Sequence, residues 1–193
     1  MNKKIIRNEM IETLKKMDHT KYNQLSLLIK DRVVKSPEFI EAEIIGITIS
    51  RFPEVATRLI IQAAWEQGKK VVVPKCIPKT RTMDFRLIKS FEDLETVYMD
   101  LLEPVVTETT SILKEDINLQ IVPGVVFSDE GYRIGFGGGY YDRYMKDFQG
   151  EVLSLAFEIQ TGKPVPVENH DLPVGKIITE KGTLHCRKVG DIE

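Results

Sequence analysis

The chain has 193 residues, 42% hydrophobic and 29% charged. At roughly 150 residues per domain this describes one ordinary globular domain and excludes a disordered, collagen-like or disulfide-stapled chain. Lys and Arg number 27 against 29 Asp and Glu, a net charge of −2, so the basic excess of a duplex-DNA binder is missing and nucleic acid is not an expected partner. No apolar run approaches the roughly 18–20 residues that cross a bilayer. The charged start has no apolar h-region, so neither a signal peptide nor a membrane partner is expected. Two distant cysteines, Cys76 and Cys186, make no framework; a reduced, cytoplasmic protein is the expectation.

No repeat, low-complexity tract or linker divides the chain, so residues 1–193 are read as one domain. Ile6, Met10, Leu14 and Met17 share one face of a predicted helix from about Lys3 to Asp18. Thr20 is the expected N-cap of a second helix, with Tyr22, Leu25, Ile29 and Val33 inward and Pro37 ending the unit. Residues 1–35 hold nine basic against four acidic side chains, a solvated face or the neighbour of an anion. The β-branched run Ile44–Ile49 suits a strand buried on both faces. Pro53-Glu54 is expected to open a helix that Gly68 closes, and Lys70–Pro74 to form the next strand. Strand, helix, strand implies a parallel sheet. Further strands are expected near 84–88, 119–122, 152–157 and 176–179, with an irregular stretch from Thr161. The predicted fold is α/β: a single three-layer domain, a mostly parallel sheet with helices on both faces.

Chemistry concentrates in one place. Six of the thirteen glycines lie between 124 and 139, and Gly137-Gly138-Gly139 directly precede an amphipathic stretch. Strand, glycine-rich turn, helix start is a geometry that cradles phosphate on backbone N–H groups. The loop matches neither the dinucleotide G-x-G-x-x-G, which would need glycine where Tyr140 stands, nor a Walker A loop. Arg133 could clamp a phosphate with its planar fork. Asp142 could hold a phosphate-bridging Mg²⁺, or simply be a carboxylate favoured at a helix start. Tyr140 and Tyr141 offer faces for a ring to stack on, or are half-buried core aromatics. From these residues alone the reading is a nucleotide site with Mg²⁺.

The run Pro123-Gly124-Val125-Val126-Phe127, then Gly131-Tyr132-Arg133-Ile134-Gly135-Phe136-Gly137-Gly138-Gly139-Tyr140-Tyr141-Asp142-Arg143-Tyr144, resembles the signature of the 5-formyltetrahydrofolate cyclo-ligase (5,10-methenyltetrahydrofolate synthetase) family. Lys3 and Arg7, Pro53-Glu54 with Thr57, Gly68 to Pro74, and Val165 to Asp171 add to it in order. Phe136 stands where many relatives carry Tyr, and Ala56 where an acid is common. The resemblance implies an ATP- and Mg²⁺-dependent closure of 5-formyltetrahydrofolate to 5,10-methenyltetrahydrofolate, through a phosphorylated formyl oxygen, with release of ADP and phosphate. It implies an ATP site made by Lys3, Lys4, Ile5, Ile6 and Arg7 with Arg133, Ile134, Gly135, Phe136, Gly137, Gly138, Gly139, Tyr140 and Tyr141. It implies a folate site at Glu54 and Phe136 to Tyr140, Mg²⁺ on Asp142 and Asp171, and catalytic parts for Arg133 and Tyr140. A carboxylate at Glu54 suits the amino and ring N–H edge of a pterin.

Folates often carry polyglutamate tails, and residues 69–83 hold Lys69, Lys70, Lys75, Lys79 and Arg81 with no acid; a solvated loop is the plainer reading of that run. Trp65 is expected in the core, and His170 in a surface loop. Two rival readings share the glycine loop: another small-molecule ATP–Mg²⁺ phosphotransferase, and a non-catalytic nucleotide-binding regulator.

Overall fold

The computed structural model describes residues 2–186. Helix α1 (Lys3–Lys15) starts at Asn2, whose side chain accepts from the Lys4 N–H at 2.8 Å. Helix α2 (His19–Val33) is capped by the Asp18 carboxylate on the Lys21 N–H, not by Thr20. Aspartate is the better cap, and it adds a negative charge at the positive end of the helix. Helix α2 ends ahead of Pro37, as expected, but Pro37 also begins an element of its own. It opens a one-turn helix α3 (Pro37–Glu41) behind the Ser36 cap, because a first-turn residue has no intrahelical use for an N–H.

Strand β1 (Ile44–Gly46) is shorter than the β-branched run, although the Ile47 N–H still bonds the Val72 carbonyl at 3.0 Å. Helix α4 (Thr57–Glu66) begins at Thr57 rather than at Pro53-Glu54. Ser50 and Thr57 close the intervening loop by bonding each other's backbone N–H through their hydroxyls, both at 2.9 Å, and the Thr57 hydroxyl donates to the Thr48 carbonyl. With those groups satisfied at residue 57, residues 51–56 remain a loop. Gly68 follows the helix with φ +73°, as expected.

Strand β2 (Lys70–Ile77) runs three residues beyond the predicted end and turns back into β3 (Thr82–Ile88). Pro74 is tolerated in it because β1 stops opposite Val72, so no parallel neighbour asks for its missing N–H. A small ribbon of β4 (Leu94–Thr96) and β5 (Leu102–Pro104) follows, then the short β6 (Thr110–Ser111). Strand β7 (Leu119–Val122) leads to a second ribbon, β8 (Val126–Phe127) with β9 (Arg133–Ile134). After the glycine loop come α5 (Tyr140–Met145), β10 (Glu151–Leu155), β11 (Lys176–Ile178) and β12 (Thr183–His185).

The main sheet runs β12-β11-β10-β7-β1-β2-β3-β6. Its centre, β11 to β2, is parallel, and β12, β3 and β6 are antiparallel additions at the edges. Val71 and Val73 face one side with Ile29 and Val33 of α2 and Ile60 and Ile61 of α4. Val72 and Phe85 face the other side with Tyr144 of α5. The predicted α/β layering holds, with a thin second helical layer. Trp65 packs against the main core as expected.

Candidate active site

In a parallel sheet the loops that carry function leave the carboxyl ends of the strands. Here those are the segment after β1 with Glu54, the β2–β3 turn, the stretch from β7 through the glycine loop, and the segment after β10 with Asp171. Helix α1 is laid over the β8–β9 ribbon, where Ile6 and Met10 pack on Val125, Val126 and Ile134. That packing delivers Lys3 and Arg7 to the same place.

Lys3 Nζ donates to Asp171 Oδ2 at 2.6 Å and lies 3.4 Å from Glu168 Oε1. Arg7 Nη1 donates to the Gly135 carbonyl at 3.1 Å. Gly137 has φ +99°, and a Cβ there would stand 3.0 Å from Arg7 Nη1; glycine lets the loop take this turn and lets the guanidinium rest against its backbone. Burial raises the Asp171 pKa, but the Lys3 ammonium and the Glu168 N–H outweigh it and hold the carboxyl below its ordinary value.

The other predicted nucleotide residues separate into three kinds. Phe136 is exposed, the Tyr140 ring lies over Gly138, and Gly135 to Gly139 form the open loop. Ile6 and Ile134 are spent on packing, while Lys4 and Ile5 stand exposed on α1. Arg133 is turned inward. Its side chain is 3% exposed, Nη1 donates to the Leu172 carbonyl at 2.7 Å, and Nη2 donates to Asp142 Oδ1 at 3.0 Å. Burial works against its charge, and Asp142 chiefly opposes that. Tyr141 is likewise interior: its hydroxyl is buried without a hydrogen-bond partner, and burial pushes its pKa well up.

Asp142 Oδ1 also accepts from the Leu172 N–H at 3.1 Å. Among the described residues nothing donates to its Oδ2, and no cluster of three or more His, Cys, Asp or Glu is arranged around a metal position. His170 is a surface residue, as expected.

Glu54 sits in a small recess where the hydroxyls of Thr48, Ser50 and Thr57 meet an apolar wall of Val55, Ile121 and Leu155. Burial lifts its pKa to about 7, opposed by the Arg51 N–H, 3.4 Å from Oε1, and by the Arg51 charge. The Tyr22 hydroxyl donates to its backbone carbonyl at 2.8 Å and fixes the loop. The Ala56 N–H bonds Ser26 Oγ at 3.2 Å, so Glu54 is held from α2 and Arg51 without an acid at 56.

Sequence reasoning gave no site role to Arg51, Tyr22, Glu168 or the Leu172 backbone; Glu168 lies in the Val165 to Asp171 run, and the other three have no motif to announce them. The basic run 69–83 disperses. Lys69 bonds the Ile40 and Ala42 carbonyls, Lys75 pairs with Glu95 and Glu103, and Arg81 alone of the run lines a larger cleft beside α5.

No helix among the described residues is long and apolar enough to cross a membrane. A 5-formyltetrahydrofolate cyclo-ligase of Mus musculus is 26% identical over 92% of this chain and 93% of its own length. A mitochondrial 5-formyltetrahydrofolate cyclo-ligase of Arabidopsis thaliana is 28% identical over 94% of this chain and 75% of its own. The solved 5,10-methenyltetrahydrofolate synthetase of Aquifex aeolicus superimposes with a TM-score of 0.85 at 26% identity, covering 100% of this chain and 97% of that one. The model of the 5-formyltetrahydrofolate cyclo-ligase family matches residues 1–180, and the chain that builds this loop-and-clamp arrangement belongs to that family.

Proposed function

We propose that this chain carries out its family's reaction, closure of 5-formyltetrahydrofolate to 5,10-methenyltetrahydrofolate, by letting ATP phosphorylate the formyl oxygen. The formamide oxygen is a poor leaving group. Its attack on the γ-phosphorus forms the new O–P bond as the bond to the ADP oxygen breaks. N10 then attacks the activated carbon and loses its proton, and the C–O bond breaks to release phosphate. Such chemistry asks the protein for positioning and charge neutralisation, not for a nucleophile.

The observation that carries this reading is the meeting of Lys3, Arg7 and the loop Gly135–Gly139 at the carboxyl end of the parallel strands, with Glu54 on the neighbouring loop. In our assignment the loop amides and the two cations of α1 hold the triphosphate. Arg133 acts as a positioning residue that ties the loop to Leu172 and Asp142. Tyr140, over Gly138, faces the reacting groups. Glu54, ionised, accepts the amino and ring N–H of the pterin. Mg²⁺ suits Asp142 Oδ2 and Asp171, since such an ion usually takes one or two carboxylates plus phosphate oxygens and water; when bound it neutralises charge on the phosphates. Lys3 holds Asp171 in the meantime and is free to turn to phosphate when ATP arrives. Two free, unpaired cysteines, Cys76 and Cys186, suit a reduced cytoplasmic setting.

The test is incubation with 5-formyltetrahydrofolate, ATP and Mg²⁺ while following the methenyl chromophore in the near ultraviolet. One ADP per methenyl product is expected, with no product when any component is omitted. ADP release without the chromophore would refute the reading.

A further inference from the structure

Beside the site lies a cleft of about 260 Å³ that shares Tyr140 with it and whose other lining residues have no role above. The β2–β3 turn, the segment after β6 and α5 enclose it. Its apolar wall is Met83, Phe85, Ile112 and Tyr144, and its rim carries Arg81, Lys114 and Arg143. Whole small-molecule ligands occupy roughly 300–1,000 Å³, so the cleft fits part of a ligand. An apolar wall below a cationic rim suits a flat aromatic group ending in carboxylates.

The rim is arranged rather than scattered. Arg143 Nη1 lies 3.4 Å from the Arg81 carbonyl, which gathers the two arginines, and Arg81 has φ +53° in the tight turn. Lys114 Nζ bonds the Tyr144 carbonyl at 2.8 Å and stands 4.6 Å over the Tyr144 ring. Asp84, the one acid lining the cleft, is engaged by Arg86 at 2.6 Å and by the Ser111 hydroxyl. The rim therefore keeps a net positive charge. Tyr140 belongs both to this cleft and to the glycine loop. Tyr141 packs in one cluster with Met83, Phe85 and Tyr144 of the cleft wall, and Cys76 is the register partner of Met83.

We propose that this cleft takes the p-aminobenzoyl-glutamate end of the substrate, with the ring against Met83 and Tyr144 and the carboxylates at Arg81 and Arg143. The proposal rests on the folate reading given above and adds where the far end of that substrate is held. It makes Arg81 and Arg143 specificity determinants for the acidic terminus and leaves the chemical step to the glycine loop.

Two measurements test it. The first compares KM for 5-formyltetrahydrofolate with KM for 5-formyltetrahydropteroate, which ends at the ring carboxyl. The wild-type protein is expected to favour the glutamate-bearing substrate by about tenfold, the size of one exposed charge-assisted contact. In Arg81→Ala with Arg143→Ala the ratio should fall toward one, and in the double Lys variant most of it should return. A wild-type ratio near one, or a ratio unchanged in the Ala variant, overturns the proposal. The second follows p-aminobenzoylglutamate and uncharged p-aminobenzamide by NMR titration without ATP. Preferential shifts at Met83, Arg81 and Tyr144 by the charged fragment support the cleft even if no methenyl product ever forms, in which case the cyclo-ligase reading alone falls. Equal response to both fragments overturns the cleft proposal even if turnover is normal.

Discussion

Arg133 and Asp142 meet at 3.0 Å and hold the backbone of one residue at both ends: Arg133 donates to the Leu172 carbonyl, and Asp142 accepts from the Leu172 N–H. This three-way joint ties β9, α5 and the segment after β10 together, and it explains why a cation beside the glycine loop is nearly buried.

Asp142→Asn keeps an acceptor for the Leu172 N–H but leaves the Arg133 charge without its partner. Removing one member of a fully buried pair costs about 3–5 kcal/mol; with the Asp142 side chain 21% exposed, we expect about 1–3 kcal/mol. The same variant should need more Mg²⁺ for half-maximal rate. Thermal melts and a Mg²⁺ titration read the two effects separately, and a melt shift with an unaltered Mg²⁺ curve would leave Asp142 a joint and nothing more.

Lys3→Ala with Arg7→Ala should raise the ATP requirement steeply, on the order of 1.5–3 kcal/mol for each lost phosphate contact. The variant should also change the acid limb of stability. The Asp171 pKa is lowered in the folded protein, so its contribution is present above the unfolded value and is lost as pH falls through the folded one. Without Lys3 that loss begins at higher pH, which urea unfolding at a series of acidic pH values will record.

Glu54 has the opposite sign. Its folded pKa is about 7 against 4.5 for the free group, so the folded protein binds more protons between those values and loses stability as pH rises through them. The effect is about 1–3 kcal/mol, and Glu54→Gln should flatten it in denaturant titrations. Under the proposed assignment the ionised carboxyl accepts from the pterin, so folate affinity should improve as pH rises through about 7 in the wild-type protein. Calorimetry across that range would contradict the assignment if Glu54→Gln bound folate with wild-type affinity and the same pH profile.

Gly137→Ala places a methyl group against Arg7 Nη1 and a side chain at φ +99°. It should cost about 1 kcal/mol or more of stability and raise KM for ATP by moving Arg7. Calorimetric ATP binding at wild-type strength would argue against a phosphate role for this part of the loop.

The parallel centre of the fold was legible because Ile44–Ile49 and Lys70–Pro74 are β-branched runs without polar alternation, and Gly68 marked the helix end between them. The antiparallel edges were not, since the direction of β3 depends on four turn residues, 78–81, rather than on its own composition. Helix starts were displaced wherever a side chain outside the apolar pattern satisfied the backbone: Asp18 ahead of Thr20, and the Ser50–Thr57 exchange ahead of α4. The glycine loop was legible down to single residues because its glycines are consecutive. The jobs of Arg133 and Tyr141 were not, since a cation and a ring beside a phosphate motif look alike in sequence whether they face the ligand or the interior. Arg51 and Tyr22 act through a main-chain N–H and a main-chain carbonyl, which no side-chain pattern encodes.

The pairing of Lys3 with Asp171 spans 168 positions of the chain, and this bears on how the protein is born. During synthesis β1, β2 and β7 can associate once the segment through Val122 has emerged. The lysine of the first helical turn must wait for nearly all the remaining polypeptide before its aspartate exists. Closing so long a loop comes late in folding. A nascent chain arrested before residue 171 still lacks β11 and β12 but can pair β10, β7, β1 and β2 while Lys3 has no aspartate to meet; under the proposed assignment, competence to bind ATP should trail acquisition of the core.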